Sequence, residues 1–438
     1  MSSLKFILKG IFPRVFLKNA SGVYRRIKNA TLDKFLFPEY AVDRKAFQIY
    51  RQGYPFRENA IEIKDIEDEK VRSYMQSWYD WTQEEFLLVF DRPCTIEPDY
   101  GWAIIPPKRL LVYSLGLGRT WLQPKPSMLK FLRRGDPLRI ARAISLRDTG
   151  EENYFHFYND VLAKIFFLKA HDVDVTNTPV IIAKKLWDKS YFQYYLSNSP
   201  EFKTLHWIVQ EEQYIECQSA IFCKPLTHRK DLLQQVFAPL YFTRQGSRKL
   251  YVTRSKTRLR FIENEEALEA LFRKYNFERV DTDQLSPGQQ IELFAEAAAI
   301  VGIHGAGLAN MFFRLGPCQI LEIFAPPDAG YLPFHYIMIA RMKGFSYHAI
   351  IGKKSARQFS GGFYVDPDLL ERNLKHLTEF PSPSLPACTP RSCSWARAPA
   401  HSPSRRWPTT TTGWAGYAVF RCGLIRPSAT SGAGCGPA

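Results

Sequence analysis

The stretch Val301-Gly-Ile-His-Gly-Ala-Gly-Leu-Ala-Asn310 constrains this chain more than any other. The apolar run AAIVGI leads directly into His304, two glycines flank Ala306, and a helical pattern resumes at about Leu308. A short run that is apolar throughout reads as a strand buried on both faces, the kind found in layered α/β folds. Glycine permits a tight exit from such a strand and lets backbone N–H groups approach a ligand closely. The helix that follows adds unpaired amides and the positive end of its dipole, a combination suited to phosphate. His304 could supply a hydrogen bond or a positive charge there. On these residues alone, a tight structural turn with a structural histidine is the reading to beat.

The surroundings narrow the choice. No Gly-Lys-Ser/Thr follows the glycines, so this is not a P-loop. The string also resembles the oxyanion loop of lipases, but no Gly-x-Ser-x-Gly elbow accompanies it, which disfavours a hydrolase. Upstream, KLYVT (249–253) reads as a strand, 264–275 as a helix and FERVD as a strand. Another helix is announced by Ser286 at the N-cap, Pro287 in the first turn and Gln289 three residues after Ser286. QILEIFAP is the strand after the glycine loop.

A first unit shows the same alternation. Short strands such as WAIIPP and RLLVYSL lie between residues 59 and 142. Thr149-Gly-Glu-Glu152 predicts a capping box opening a helix to about Ala170. PVIIA, a helical stretch through Tyr191–Tyr195, HWIV and AIFC follow. The expected fold class is α/β: two facing Rossmann-like domains with a cleft between them, joined near residues 227–248. The expected boundaries are a basic N-terminal segment at 1–60, a first α/β domain at 61–240, a second, Rossmann-like domain at 241–380 and a disordered tail at 381–438.

Length and charge agree with two domains and an anionic partner. The chain has 438 residues and a formal charge of +16. Lys5, Lys9, Arg14, Lys18, Arg25 and Arg26 precede the first acid, Asp33, with apolar residues interspersed. That segment reads either as a basic helix lying on anionic lipid or as a first helix packed on the domain. No apolar run reaches the eighteen or so residues of a membrane span. From Pro381 the chain holds six arginines and no Asp, Glu or Lys, amid Pro, Ser, Ala and Gly. It cannot bury enough surface to offset chain entropy, so it reads as disordered; a shifted reading frame would also give this composition. Cys94, Cys217, Cys223 and Cys318 form no CxxC pair and read as reduced core residues, pointing to a cytoplasmic protein.

Several charged residues stand out for their positions. Arg254, Arg258 and Arg260 follow the KLYVT strand, where arginines can grip a diphosphate in bidentate fashion or merely face solvent. Glu322 is the lone charge in QILEIFAP. It suits ribose hydroxyls or an edge ion pair. In the first unit, His156 and Asp160 are four apart in NYFHFYND and project from one helix face. Such a pair can orient a general base, or it can be a paired surface histidine. Asn153 opens the same motif and reads as substrate-orienting. Asp172-Val-Asp174 and Asp281-Thr-Asp283 look incidental, the second lying where a turn is needed anyway.

Taken in order, NYFH…D, YVTR…R-x-I-x-N-E, a glutamine-containing helix, G-x-H-G-A-G-L-x-N and L-E-I resemble glycosyltransferase family 61 over roughly Arg142 to Pro327. The resemblance implies a GT-B fold and transfer from a UDP-sugar to a glycan acceptor with inversion and without a bound metal. It makes Arg254, Arg260, His304, Gly305, Ala306, Gly307 and Glu322 donor-binding residues, with Arg260 favoured over Arg258 by R-x-I-x-N. It places the His156 region on the acceptor side, which makes His156 and Asp160 the candidate catalytic residues, either of them the base. No cofactor and no metal are expected. The expected partners are a nucleotide-sugar donor and a glycan acceptor, with peripheral contact to an anionic inner membrane surface. Bacterial capsule-type members are the closer likeness, because the N-terminus lacks the anchor of secretory-pathway members. Two rivals are a catalytically inactive sugar-nucleotide or glycan-binding protein on the same fold, and a nucleic-acid binder. The latter lacks any helix-turn-helix, zinc-finger or RRM signature.

Overall fold

The computed structural model describes residues 40–52, 84–115, 125–226, 229–254, 260–326, 335–356 and 361–379. Arg258, most of the basic N-terminal segment, and the tail with Cys388, Cys393, Cys422 and Cys435 lie outside the described residues.

Among the described residues, the strands of the first unit form one ten-stranded mixed sheet. These strands are β1 (Tyr40–Ala41), β2 (Phe47–Gln52), β3 (Glu84–Phe90), β4 (Cys94–Ile96), β5 (Ala103–Ile105), β6 (Arg109–Leu111), β7 (Leu138–Ser145), β8 (Val180–Ala183), β9 (Trp207–Gln210) and β10 (Ile215–Lys224). Its parallel portion runs in the order β10-β7-β8-β9, and β3 and β4 pair antiparallel to β10. The chain therefore builds outward from β7 through β9, then returns to place β10 on the other side of β7.

The second sheet is entirely parallel. It comprises β11 (Arg248–Val252), β12 (Glu278–Val280), β13 (Ala297–Ile303), β14 (Gln319–Phe324) and β15 (Ser346–Ile351) in the order β12-β11-β13-β14-β15. Strand alternation splits its apolar residues between two layers. Tyr251, Val301, Leu321 and Ile323 face one, while Leu250, Val252, Ile300 and Ile320 face the other.

Helices cover both faces. The main helices are α1 (Leu162–Lys169), α2 (Ser190–Asn198), α3 (Lys230–Phe237), α4 (Glu265–Lys274), α5 (Pro287–Ala295), α6 (His335–Lys343) and α7 (Pro367–Glu379). Leu268 and Phe272 of α4, one turn apart, pack with α7 residues Leu370 and Leu374 against the Tyr251 face. The Tyr251 and Phe272 rings stack at 3.7 Å. On the opposite face lie Ile291 and Phe294 of α5 and Tyr336, Ile337 and Ile339 of α6. The result is a three-layer, doubly wound α/β unit. Helix α5 starts where the sequence predicts: Ser286 and Gln289 form a reciprocal capping box with Pro287 in the first turn.

The helix after β7 starts later than the Thr149 capping box predicts. A turn at Tyr154–His156 opens it, capped by the Asn153 side chain, which accepts from the Phe155 N–H. Thr149 cannot act as the cap because the loop is folded otherwise. Gly150 has φ +75°, and the Glu151 carboxylate is drawn to Arg147 at 3.0 Å. A π-helical segment, Phe157–Val161, then leads into α1. Cys94, Cys217, Cys223 and Cys318 are free and buried, as expected.

The layer of the second sheet that carries α5 and α6 is continuous with the core of the first unit. Tyr158 packs on Phe237 at 5.2 Å and edge-on to Phe313 at 5.6 Å, while Phe237 stacks on Phe312 at 4.5 Å. The packing does not break where the chain passes from one unit to the next. Phe237→Ala should therefore cost about 3–5 kcal/mol and lower the stability of both units in one transition. Urea unfolding followed separately by tryptophan fluorescence and by far-UV dichroism should give coincident curves shifted to lower denaturant.

Candidate active site

In doubly wound sheets, ligands bind beyond the carboxyl ends of the strands where the winding direction reverses. The second sheet reverses between β11 and β13. The residues leaving those two ends are Thr253 and Arg254 after β11, and His304 to Gly307 after β13.

Each side chain there is held from below. The His304 Nδ1 is hydrogen bonded to Glu322 of β14, and its ring stacks on Phe324 at 5.4 Å. Glu322 is fully buried, fourth of six residues in its strand rather than at the edge. Its second oxygen accepts from the Tyr347 hydroxyl at 2.6 Å. Both carboxylate oxygens are thus engaged by protein, and the arrangement fixes the ring of His304. The Arg254 Nη1 donates to the His304 carbonyl at 3.2 Å, laying the guanidinium against the glycine loop.

Two glycines of this loop leave room that a side chain would fill. A Cβ on Gly305 would collide with Arg254 Nη1, and one on Gly307 would come within 3.1 Å of Val252 and 3.2 Å of the Thr282 hydroxyl. Gly305 is extended and serves as the N-cap of a 3-10 helix, Ala306–Phe313. That helix begins two residues before the predicted start and is tighter than an α-helix. Its first amides, at Ala306 and Gly307, precede the helical hydrogen-bond ladder. Arg260 arrives from the β11–α4 connection with φ +66°, its N–H bonded to the Gly361 carbonyl at 2.6 Å. Removal from water lowers its guanidinium pKa, opposed by nearby Tyr336 and Glu322. Arg254, Arg260, His304, Gly305, Ala306, Gly307 and Glu322 are therefore gathered at one end of one sheet.

The first sheet reverses between β7 and β10. Its site pair follows β7. His156 Nδ1 lies 2.7 Å from Asp160 Oδ2; the His156 side chain is 37% exposed and that of Asp160 only 11%. The imidazole is open to a ligand and its orienting carboxylate is not. The π turn of Phe157–Val161 carries Asp160, and such turns recur at functional sites. Asn153 is exposed, with its Oδ1 committed to the helix cap.

Lys224, which the sequence reading missed, completes the arrangement. It closes β10 and places Nζ 2.9 Å from Asp160 Oδ1. Burial alone would push the Asp160 carboxyl up, but Lys224 and His156 hold it well below the ordinary carboxylate range. For His156, burial favours the neutral ring, yet the hydrogen bond and charge of Asp160 outweigh it and raise its pKa above 6.5. Beneath lie two further buried pairs, Lys164–Asp148 at 2.8 Å and Arg147–Glu151 at 3.0 Å. The sequence offered one signal for Lys224: a charge directly after the apolar run Ala220–Cys223, at the end of a long strand.

The two sites converge. Tyr154 donates to Asn310 of the 3-10 helix at 2.7 Å, and the Tyr336 hydroxyl donates to the Gly305 carbonyl at 2.6 Å. Tyr336 also packs on Phe155 at 5.7 Å and on His304 at 5.2 Å, while His335 lies 6.4 Å from His156. Two residues of α6 thus span the gap between the two histidines.

The Asp-x-Asp strings are used locally. Asp174 accepts from Asn177, and Asp281 accepts from the Asp283 N–H to cap a 3-10 turn. Among the described residues, no three His, Cys, Asp or Glu side chains gather as metal ligands. No helix of the described residues is long and apolar enough to cross a membrane.

The fold and site together define an α/β protein with an anion-suited glycine loop facing a carboxylate-held histidine. Residues 154–331 match the model of the family Glycosyltransferase 61, a span that begins with the Tyr154–His156 turn and includes Lys224, Arg254, Arg260, the glycine loop and Glu322. This match supports that family and with it a glycosyltransferase. The chain has no match among curated proteins.

If the loop takes a nucleoside diphosphate such as uridine diphosphate, Gly305→Val should abolish that binding while leaving the fold intact, because the side chain displaces Arg254 and blocks the loop amides. Calorimetry on the folded variant checks this; unchanged affinity would remove the loop from the binding site.

Proposed function

We propose that the protein transfers a sugar from a nucleotide-sugar, a UDP-sugar by the family resemblance, to a hydroxyl of a glycan acceptor. The two sheets would serve as the facing halves of a GT-B-like enzyme. The observation that carries this reading is the convergence of both switch points, with Tyr336 packed on Phe155 beside His156 and on His304.

The step is one in-line displacement with inversion. The acceptor oxygen attacks the anomeric carbon, the bond from that carbon to the diphosphate oxygen breaks, and the bonding pair leaves with UDP. The acceptor proton passes to His156 Nε2, since Nδ1 is committed to Asp160. Charge developing on the diphosphate is met by Arg254, Arg260 and the amides of Ala306 and Gly307, preorganised donors of the kind that contribute most to such steps. With two guanidiniums and a helix end in place, a divalent cation is not required. Glu322 acts by holding His304 rather than by touching ribose, because both of its oxygens are engaged.

A nucleotide-sugar panel scored for donor-dependent turnover tests the reading; UDP binding without turnover of any donor would favour a binding protein instead. EDTA should leave turnover intact, and Arg260→Ala should lose about 2 kcal/mol or more of transition-state stabilisation. Activity lost in EDTA and restored by Mn²⁺ would overturn the metal-free mechanism.

His156→Ala should lower turnover by roughly 10²-fold or more with donor affinity nearly unchanged. Catalysis needs the neutral imidazole, whose pKa Asp160 raises above 6.5. Turnover should therefore rise with pH through a midpoint above 6.5, and Asp160→Asn should move that midpoint down. A pH–rate profile without this limb would place the base elsewhere.

A further inference from the structure

A histidine held by a buried carboxylate has a built-in conflict. The carboxylate fixes the tautomer and aims the ring, but in a poorly solvated site its charge also holds a proton on the imidazole, which then cannot act as a base. A third group of positive charge on the far oxygen of the carboxylate reduces the conflict. Lys224 occupies that place, with Nζ 2.9 Å from Asp160 Oδ1, while His156 Nδ1 lies 2.7 Å from Asp160 Oδ2. The lysine side chain is 7% exposed and is positioned by the sheet: Lys224 pairs with Phe86 of β3 at the end of β10.

We infer that Lys224 is a positioning residue acting through Asp160, anchoring the carboxylate at the His156 ring while offsetting its charge, so that the imidazole is available as a base near neutral pH. This rests on the reading of His156 as the base for glycosyl transfer.

The neighbours fit that assignment. From the site helix, Asp160 and Lys164 face the pair; Lys164 is committed to Asp148, the acid contributed by the loop after β7. From β10, Cys223 lies beside Lys224, its thiol pushed up to about 12 by burial and so uncharged. From α6, His335 approaches within 6.4 Å. Burial would neutralise the Lys224 ammonium, but Asp160 and Asp148 hold its pKa above 10.5. It therefore stays charged across the working range.

The test is Lys224→Gln, which keeps a hydrogen-bond donor for Asp160 and removes the charge, with Lys224→Arg as the charge-preserving control. The His156 ring is followed by NMR titration, its signals identified by their loss in His156→Ala. Lys224→Gln should raise the His156 midpoint by about one pH unit, and the acid limb of turnover should move with it. Turnover below that limb then falls about tenfold and returns at higher pH. Lys224→Arg should restore both. A loss of turnover uniform in pH, with the ring midpoint unchanged, would mean a structural lysine and overturn the proposal. Should Lys224→Gln fail to fold, Asp160→Asn/Lys224→Gln leaves no lone buried charge; its ring midpoint must lie above that of Asp160→Asn, and an equal midpoint refutes the role. The ring titration reads Lys224 whether or not His156 is the base. A midpoint shift in Lys224→Gln, with turnover intact in His156→Ala, would therefore sink the catalytic reading and leave the electrostatic coupling standing.

Discussion

An aromatic seam holds the two halves of the site in register. Tyr158 leaves the π segment of the first unit and meets Phe237 and Phe313, and Phe312 stacks on Phe237 from the other side. All four are at most 1% exposed. Burial of each such side chain contributes about 1.5–3 kcal/mol, and the edge-to-face and stacked geometries add to that. Phe312 and Phe313 end the same 3-10 helix that Gly305 begins. The seam thus fixes the far end of the loop whose near end carries the amides, and Tyr154 bonding Asn310 pins the middle.

On this apolar base the site concentrates charge that would be costly to bury unpaired. Removing one member of a buried ion pair costs about 3–5 kcal/mol, and the region around β7 and β10 holds three such pairs, Asp160–Lys224, Asp148–Lys164 and Arg147–Glu151. Each has further hydrogen bonds: Lys164 donates to the carbonyls of Leu146 and Arg147, and Arg147 to the Pro98 carbonyl and to Gln210. These contacts tie the loop after β7 to the site helix, so that His156 is presented by a rigid support. In the second unit a single pair, Glu322 and His304, does the same with Tyr347 closing the remaining oxygen.

What the sequence made legible follows the range of the chemistry involved. The strand, glycine loop and helix after β13 could be read because their cause is local: an apolar run followed by residues small enough for neighbouring side chains to pack closely on the loop. The Ser286–Gln289 box spans four residues and folded as expected. The Thr149–Glu152 box has the same pattern and failed, because Glu151 between its ends is claimed by Arg147 and the chain turns at Gly150. His156 and Asp160 were found by helical spacing. Lys224 is 64 residues from Asp160 and joins it only through the return of β10 to β7, which no local pattern encodes. Glu322 was noticed as a lone charge and left between a ribose contact and an edge ion pair, whereas its partners are His304 and Tyr347. Its alternation places it on the layer that Tyr347 shares, a fact that emerges only with β15 in place.

The continuity of the core also bears on how substrates would reach the site. A hinge between the two units at their junction would have to part Tyr158 from Phe313, Tyr154 from Asn310 and Phe155 from Tyr336. Exposing even two of those aromatic residues costs about 3–6 kcal/mol, which would leave an open form populated at roughly 1% or far less. A swing of whole units is therefore a costly route of access. Such a site arrives largely preorganised. A reaction in which the protein's main tasks are alignment and stabilisation of a leaving diphosphate gains most from that rigidity, since reorientation of the donors is then not part of the barrier.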